Sequence, residues 1–131
     1  MPYRSQFIII EDNLIDQFIT KKLLKKGLDI NPIYIANNGK EGMNWLLKNQ
    51  SQNPLIILLD IQMPIMDGFE FLKEFDRLPE DIKEKIEIFV LSSTLDSDEI
   101  KKVKENKYVS DFWNKPFRLE ILKSVFLENL I

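Results

Sequence analysis

The order of apolar runs along this chain predicts an α/β fold: a doubly wound, five-stranded parallel sheet with helices on both faces. Two observations predict it. Five short apolar runs recur along the 131 residues, and each is followed, after a short loop, by apolar positions at helical spacing. The third run, Leu55-Ile56-Ile57-Leu58-Leu59, is apolar at every position, the pattern of a strand buried on both faces.

Phe7-Ile8-Ile9-Ile10 reads as the first strand and ends on Glu11-Asp12. Leu14, Ile15, Phe18, Ile19, Leu23 and Leu24 then recur as the apolar face of a first helix, with Lys21, Lys22, Lys25 and Lys26 as its solvated face. Asp12 or Asn13 is suited to cap that helix and Gly27 to end it. Pro32 to Ala36 reads as the second strand, Asn37-Asn38-Gly39 as a turn, and Lys40 to Lys48 as a second helix with Met43, Leu46 and Leu47 on one face. Ser51 to Pro54 is a loop into the central strand.

After that strand, Pro64 and Asp67-Gly68 force a turn, so Asp60 is held at the rim of the sheet. Phe69, Phe71, Leu72 and Phe75 mark a third helix that ends near Leu78-Pro79. Glu80 to Lys85 is charged, expected to be exposed, and long enough for an extra turn. Ile86 to Leu91 is the fourth strand, closing on Ser92-Ser93-Thr94. Asp96, Ser97 or Asp98 can cap a fourth helix to about Asn106, whose thin apolar face (Ile100, Val103) makes it the least firmly packed. Tyr108 to Trp113 is the fifth strand, broken at Lys115-Pro116, and Leu119, Leu122, Val125, Phe126 and Leu130 mark the fifth helix. One domain over residues 1–131 is expected, complete in itself and without an output domain.

Composition narrows the chemistry. A net charge of −3 gives no electrostatic case for nucleic-acid binding. No run approaches the roughly 18 apolar residues of a membrane span, and the first residues carry no apolar signal core. The cytoplasm is the expected location. With Cys and His both absent, disulfides, thiolate metal sites and a Ser-His-Asp triad are excluded.

Ligands of open parallel sheets sit outside the carboxyl ends of the strands. Four strand ends here carry polar groups: Glu11-Asp12, Asp60, Ser92 and Lys115. Converging carboxylates repel, by roughly 3 kcal/mol for two charges about 5 Å apart at an effective dielectric of 20. Such a cluster calls for a cation or for protonation, and an oxygen-only donor set of Glu11, Asp12 and Asp60 suits Mg²⁺. Carboxylate, Mg²⁺ and Lys115 together are the equipment for phosphoryl transfer to an Asp.

In these residues the chain resembles the receiver domains of two-component response regulators. The resemblance covers Ile8 to about Leu130. It rests on the acidic pair Glu11-Asp12, on Asp60-Ile61-Gln62-Met63-Pro64-Ile65-Met66-Asp67-Gly68, on Ser92 and on Lys115-Pro116, in that order and spacing. It implies a flavodoxin-like sheet in the order 2-1-3-4-5 with five helices. It implies Asp60 as phosphoacceptor, with Mg²⁺ held by Asp12, Glu11, Asp60 and the backbone carbonyl of Gln62. Ser92 and Lys115 would each bind a phosphoryl oxygen. Phe112 would be a switch aromatic, Gln62 and Thr94 would tune the lifetime of the phosphoryl group, and Lys115-Pro116 would be a cis peptide.

The implied function is that of a signalling module rather than an enzyme acting on external substrates. A histidine kinase or phosphotransfer protein would donate the phosphoryl group. A downstream protein would read the face of the fourth helix, fifth strand and fifth helix, at Lys101, Lys104, Lys107, Tyr108, Asp111 and Trp113. The protein would be a monomer or a phosphorylation-linked homodimer. The competing reading is a constitutive interaction module that is never phosphorylated. A phosphatase for external substrates would need a second acid near the nucleophile, and Gln62 is not acidic. Residue by residue, plainer roles compete. Asp12 or Asn13 can serve as a cap, Phe112 as a core aromatic, and Met63 and Met66 as packing residues. Trp113 is expected to point away from Phe112, toward the surface.

Overall fold

The aliphatic runs pair into one sheet whose three central strands bury both of their faces. A computed structural model describes residues 6–49, 53–115 and 118–127, without the side chains of 119, 122, 126 and 127. The strands are β1 (Gln6–Ile10), β2 (Ile33–Ala36), β3 (Leu55–Leu59), β4 (Ile86–Ser92) and β5 (Val109–Asn114). They are all parallel and ordered β2-β1-β3-β4-β5. The order reverses between β1 and β3, the place where such sheets open a crevice at their carboxyl ends.

Between and after the strands lie α1 (Leu14–Leu28), α2 (Gly39–Lys48), α3 (Gly68–Asp76), α4 (Glu80–Lys83), α5 (Ser97–Lys104) and α6 (Leu119–Leu122). The last helix continues as a π-helical turn over Lys123–Leu127. Among the described residues there are thus six α-helices where five are expected. The sixth is α4, so the expected fourth helix is α5 here.

Alternate residues of each strand feed two cores. Ile8, Ile10, Ile57, Leu59 and Val90 face Met43, Phe71, Phe75 and Val103 from α2, α3 and α5. Phe7, Ile9, Ile56, Leu58 and Phe89 face Leu24 and Leu28 of α1, with Val125 at the margin. This two-sided burial is why β3 is apolar throughout.

Four expectations are corrected by the packing. In α1 the buried residues are Gln17, Thr20, Leu24 and Leu28, while Leu14, Ile15, Phe18 and Ile19 stand in solvent. Gln17 can sit inside because its amide donates to the Glu11 carbonyl and, at 2.8 Å, to Asn37 Oδ1. Gly27 does not end α1, since the helix runs through Leu28 and Asp29 takes the left-handed cap (φ 55°). Lys83, expected exposed, is buried, because its ammonium donates to the Asp76 carbonyl at 2.9 Å and to Tyr108 Oη at 3.1 Å. Trp113 does point away from Phe112, but into the second core, where it stacks on Phe89 with centroids 4.8 Å apart. A sheet covered on both sides has no free face for it.

The Lys115-Pro116 bond and the packing of Leu119, Leu122, Phe126 and Leu130 lie outside the described residues. The thin fourth helix is as expected: Val103 is its buried residue and Ile100 is only partly covered.

Stability should report the orientation of α1. Leu24→Ala is expected to cost about 2–5 kcal/mol in urea unfolding, whereas Phe18→Ser stays within about 0.5 kcal/mol. Equal losses would mean that the Phe18 face is the packed one.

Candidate functional site

The sheet register brings the four polar strand ends together. Ile10 pairs with Leu59, and the Asp60 N–H donates to the Ile10 carbonyl at 3.0 Å. Glu11 and Asp60 therefore leave the sheet side by side. At the other edge Ser92 pairs with Asn114, and the Lys115 N–H donates to the Ser92 carbonyl at 3.0 Å.

Glu11, Asp12 and Asp60 each offer a carboxylate oxygen, and these three atoms lie within 4.8 Å of one another. Glu11 and Asp60 are buried, while Asp12 is exposed at the mouth. Lys115 Nζ bonds to Glu11 Oε1, lies 2.9 Å from Asp16 Oδ2 and 3.7 Å from Asp60 Oδ2. Asp60 Oδ1 accepts the Ile61 N–H at 2.8 Å, which fixes the carboxylate plane.

Burial pushes the Glu11 carboxyl up to about 7, although the Lys115 hydrogen bond works against it. Burial also raises Asp60, and a hydrogen bond with Glu11 and the Lys115 charge oppose the rise. Burial thus favours the neutral form at both carboxyls. Burial disfavours the Lys115 ammonium, but its bonds to Glu11 and Asp16 and the Asp60 charge outweigh that and hold it above its ordinary value. The donor set fits a hard divalent cation. It offers oxygen only, from two buried carboxylates and one exposed.

The loops around the site are built for close approach. Asp67 caps α3 with a reciprocal bond to Glu70, and the Gly68 N–H donates to the Ile61 carbonyl at 2.8 Å. A Cβ on Gly68 would meet the Asp60 carbonyl oxygen at 2.6 Å, so only glycine lets α3 begin against the Asp60 backbone. Between them Ile65 holds φ 70°, and the Met66 N–H donates back to the Pro64 carbonyl at 2.7 Å. This γ-turn on a β-branched residue is strained by roughly 1–3 kcal/mol.

Ser92 is buried, and its Oγ accepts the Thr94 N–H at 3.1 Å. Thr94 is buried as well. Its Oγ1 donates to Glu99 at 2.6 Å and accepts the Asp96 N–H at 3.2 Å, which ties this loop to α5. Gln62 extends into solvent, and Phe112 is half-buried against the first core. Asp16 and Gln17 are the site-side residues that the sequence reading does not find. Asp16 occupies the third position of α1, where an acidic residue reads as helix-end chemistry.

A family model described as the response regulator receiver domain matches residues 7–126. The sensor histidine kinase CheAY of Helicobacter pylori is 35% identical over 123 residues, covering 92% of this chain and 15% of that protein. The probable C4-dicarboxylate response regulator DctR of Bacillus subtilis is 29% identical over 88% of this chain and 48% of its own length. The chain thus spans half or less of the length of these two relatives. A response regulator receiver protein from Dyadobacter fermentans superimposes with a TM-score of 0.84 at 30% identity, covering 95% of this chain and 96% of that one.

The raised Glu11 carboxyl has a consequence for stability. The folded chain binds that proton more tightly than the unfolded chain, whose Glu11 titrates near the ordinary value of 4.5. The contribution is complete below the ordinary value and is lost as pH rises through about 7. With EDTA present, wild type should lose roughly 1–3 kcal/mol more than Glu11→Gln between pH 5 and pH 8 in denaturant titrations. Parallel curves would show that Glu11 keeps an ordinary affinity for its proton.

Proposed function

The chain belongs to the response regulator receiver domain family, and from that premise we propose that Asp60 accepts a phosphoryl group in a Mg²⁺-dependent reaction and that the protein signals through the resulting change of surface. The observation that carries this reading is a convergence. A buried carboxylate, two further acids suited to a divalent cation, and an ammonium group anchored from a different strand meet at one point.

In the reaction an Asp60 carboxylate oxygen forms a bond to phosphorus while the bond from phosphorus to the donor's leaving group breaks. Lys115 stays protonated and donates a hydrogen bond to one phosphoryl oxygen, and the Ser92 hydroxyl donates a hydrogen bond to another. Glu11, Asp12 and Asp60 with the Gln62 carbonyl would hold Mg²⁺, which would supply charge that neutralises the developing negative charge of the transferring group. A cation there would compete with the proton that burial favours on Glu11. Gln62, exposed at the mouth, is suited to orient a water that later hydrolyses the acyl phosphate. Thr94, sewn to Glu99, carries a displacement of Ser92 toward α5. Phe112 can move into the space that Ser92 leaves. The readout face comprises α5, β5 and α6, with Lys101, Lys104, Lys107 and Asp111 exposed on it. Trp113 is buried and Tyr108 is bonded to Asp76 and Lys83, so neither is a ready partner contact.

The donor is a histidine kinase or phosphotransfer protein, and the carboxyl edge of the sheet supports docking there. Leu14, Ile15 and Phe18 on α1, Ile65 after β3 and Leu95 after β4 are all between 65% and 88% exposed. They lie on segments that follow β1, β3 and β4, whose carboxyl ends form the site, and a partner seated there would exclude water from the transfer. The strain at Ile65 is consistent with a side chain held outward for contact. Among the described residues no helix is long and apolar enough to cross a membrane, and the proposed setting is the cytoplasm.

Incubation with acetyl phosphate and Mg²⁺ should add one hydroxylamine-labile phosphoryl group by intact mass, absent with EDTA and absent in Asp60→Asn. No adduct on wild type, and no stabilisation by Mg²⁺ with beryllofluoride, would favour a constitutive interaction module. Phe18→Ser with Ile15→Ser should leave the acetyl phosphate reaction within about twofold but slow transfer from a phosphohistidine donor protein by about tenfold or more. Equal rates from that donor would place docking elsewhere.

A further inference from the structure

The proposed reaction needs the Lys115 ammonium in one place, yet two of the carboxylates around it have other duties. Glu11 and Asp60 both belong to the cluster with Asp12. Asp16 stands outside that cluster and accepts from Lys115 Nζ at 2.9 Å, whereas Asp60 Oδ2 is at 3.7 Å, beyond a hydrogen bond.

The helix cap explains why Asp16 is available. An acidic side chain at the third position of a helix commonly folds back onto the N–H of the capping residue. Here the Asn13 N–H donates to Glu11 Oε2 at 3.1 Å instead. Asn13 Oδ1 accepts the Asp16 N–H at 3.0 Å, which fixes the Asp16 backbone. The carboxylate is left to reach Lys115, 99 residues further along the chain. The Lys115 side chain is only 16% exposed, so this is no loose surface pair.

We infer that Asp16 is a positioning residue for phosphoryl transfer. An ammonium has three N–H groups. Glu11 and Asp16 take two, which turns the third toward Asp60 and the phosphoryl group it accepts. Because Asp16 has no share in the acidic cluster, it keeps hold of Lys115 whatever that cluster binds. The inference rests on the proposed function and adds to it a fourth carboxylate, supplied by α1.

The test compares Asp16→Asn and Asp16→Glu with wild type in the full chain. The readouts are the acetyl phosphate phosphorylation rate at saturating Mg²⁺, the Mg²⁺ dissociation constant, and the ¹⁵N resonance of the Lys115 ammonium without metal. Asp16→Asn should slow phosphorylation by about tenfold, roughly 1.4 kcal/mol of barrier. It should leave the Mg²⁺ dissociation constant within about twofold and broaden or shift the ammonium resonance, and Asp16→Glu should restore most of the rate. An Asn variant that reacts at the wild-type rate overturns the inference. So does a slowed variant with an unchanged ammonium resonance, a parallel loss of Mg²⁺ affinity, or a Glu variant as slow as Asn. A wild type that takes no phosphoryl group overturns the proposed function itself.

Discussion

The ammonium of Lys115 among Glu11, Asp16 and Asp60 is the interaction on which the site depends. It joins the end of edge strand β5 to the ends of β1 and β3 and to the first turn of α1. Its charge does not balance the acids. Burial raises Glu11 and Asp60, and one ammonium among Glu11, Asp12, Asp16 and Asp60 leaves the pocket short of positive charge. That shortage is chemically useful. A fully neutralised cluster would have no reason to bind a divalent cation, and an uncompensated one would be costly to fold.

Such a pocket needs a rigid frame, and the frame comes from β3. Its five aliphatic residues are buried on both faces, so a slip in register would carry apolar side chains into solvent. Asp60 is the next residue, and its N–H continues the ladder onto Ile10. The position of the carboxylate is therefore a consequence of core packing. Gly68 and Gly39 bring the following loop against this edge, each at a distance where a Cβ would strike backbone oxygen.

Much of this was legible in the sequence, and the exceptions share a cause. The strands, their order and the meeting of Glu11, Asp12, Asp60 and Lys115 follow from apolar runs that end on polar residues, read with the family resemblance. The orientation of α1 was not legible. Leu14, Ile15, Phe18 and Ile19 have the right spacing for a core face, but spacing does not say which face meets the sheet. The buried stripe includes Gln17 and Thr20, and Gln17 is tolerable only because Glu11 and Asn37 supply acceptors from two other elements. Lys83 misled for the same reason, since its partners come from α3 and from Tyr108, just before β5. Trp113 alternates as a strand residue must, and what the alternation could not tell was that a second core lay on that side. Asp16 went unread, because an acid in the first turn of a helix is ordinary; its role shows only where Glu11 takes the cap N–H and Asp16 reaches Lys115.

A helix with a thin buried face lies next to a hydrogen-bonded loop, and this bears on how a local event at Asp60 spreads in the proposed reaction. Ser92 is the last residue of β4 and nearly solvent-free. It reaches α5 through Thr94, whose hydroxyl bonds to Glu99 while Asp96 caps the helix. The helix itself has Val103 as its buried anchor. In the proposed reaction a pull on Ser92 acts through short hydrogen bonds on an element with little apolar burial to hold it. A rigid core at β3 and a lightly held α5 are therefore complementary requirements. The first keeps the acceptor in place, and the second lets a few kcal/mol of new phosphoryl contacts shift a population of surface states without disturbing the sheet.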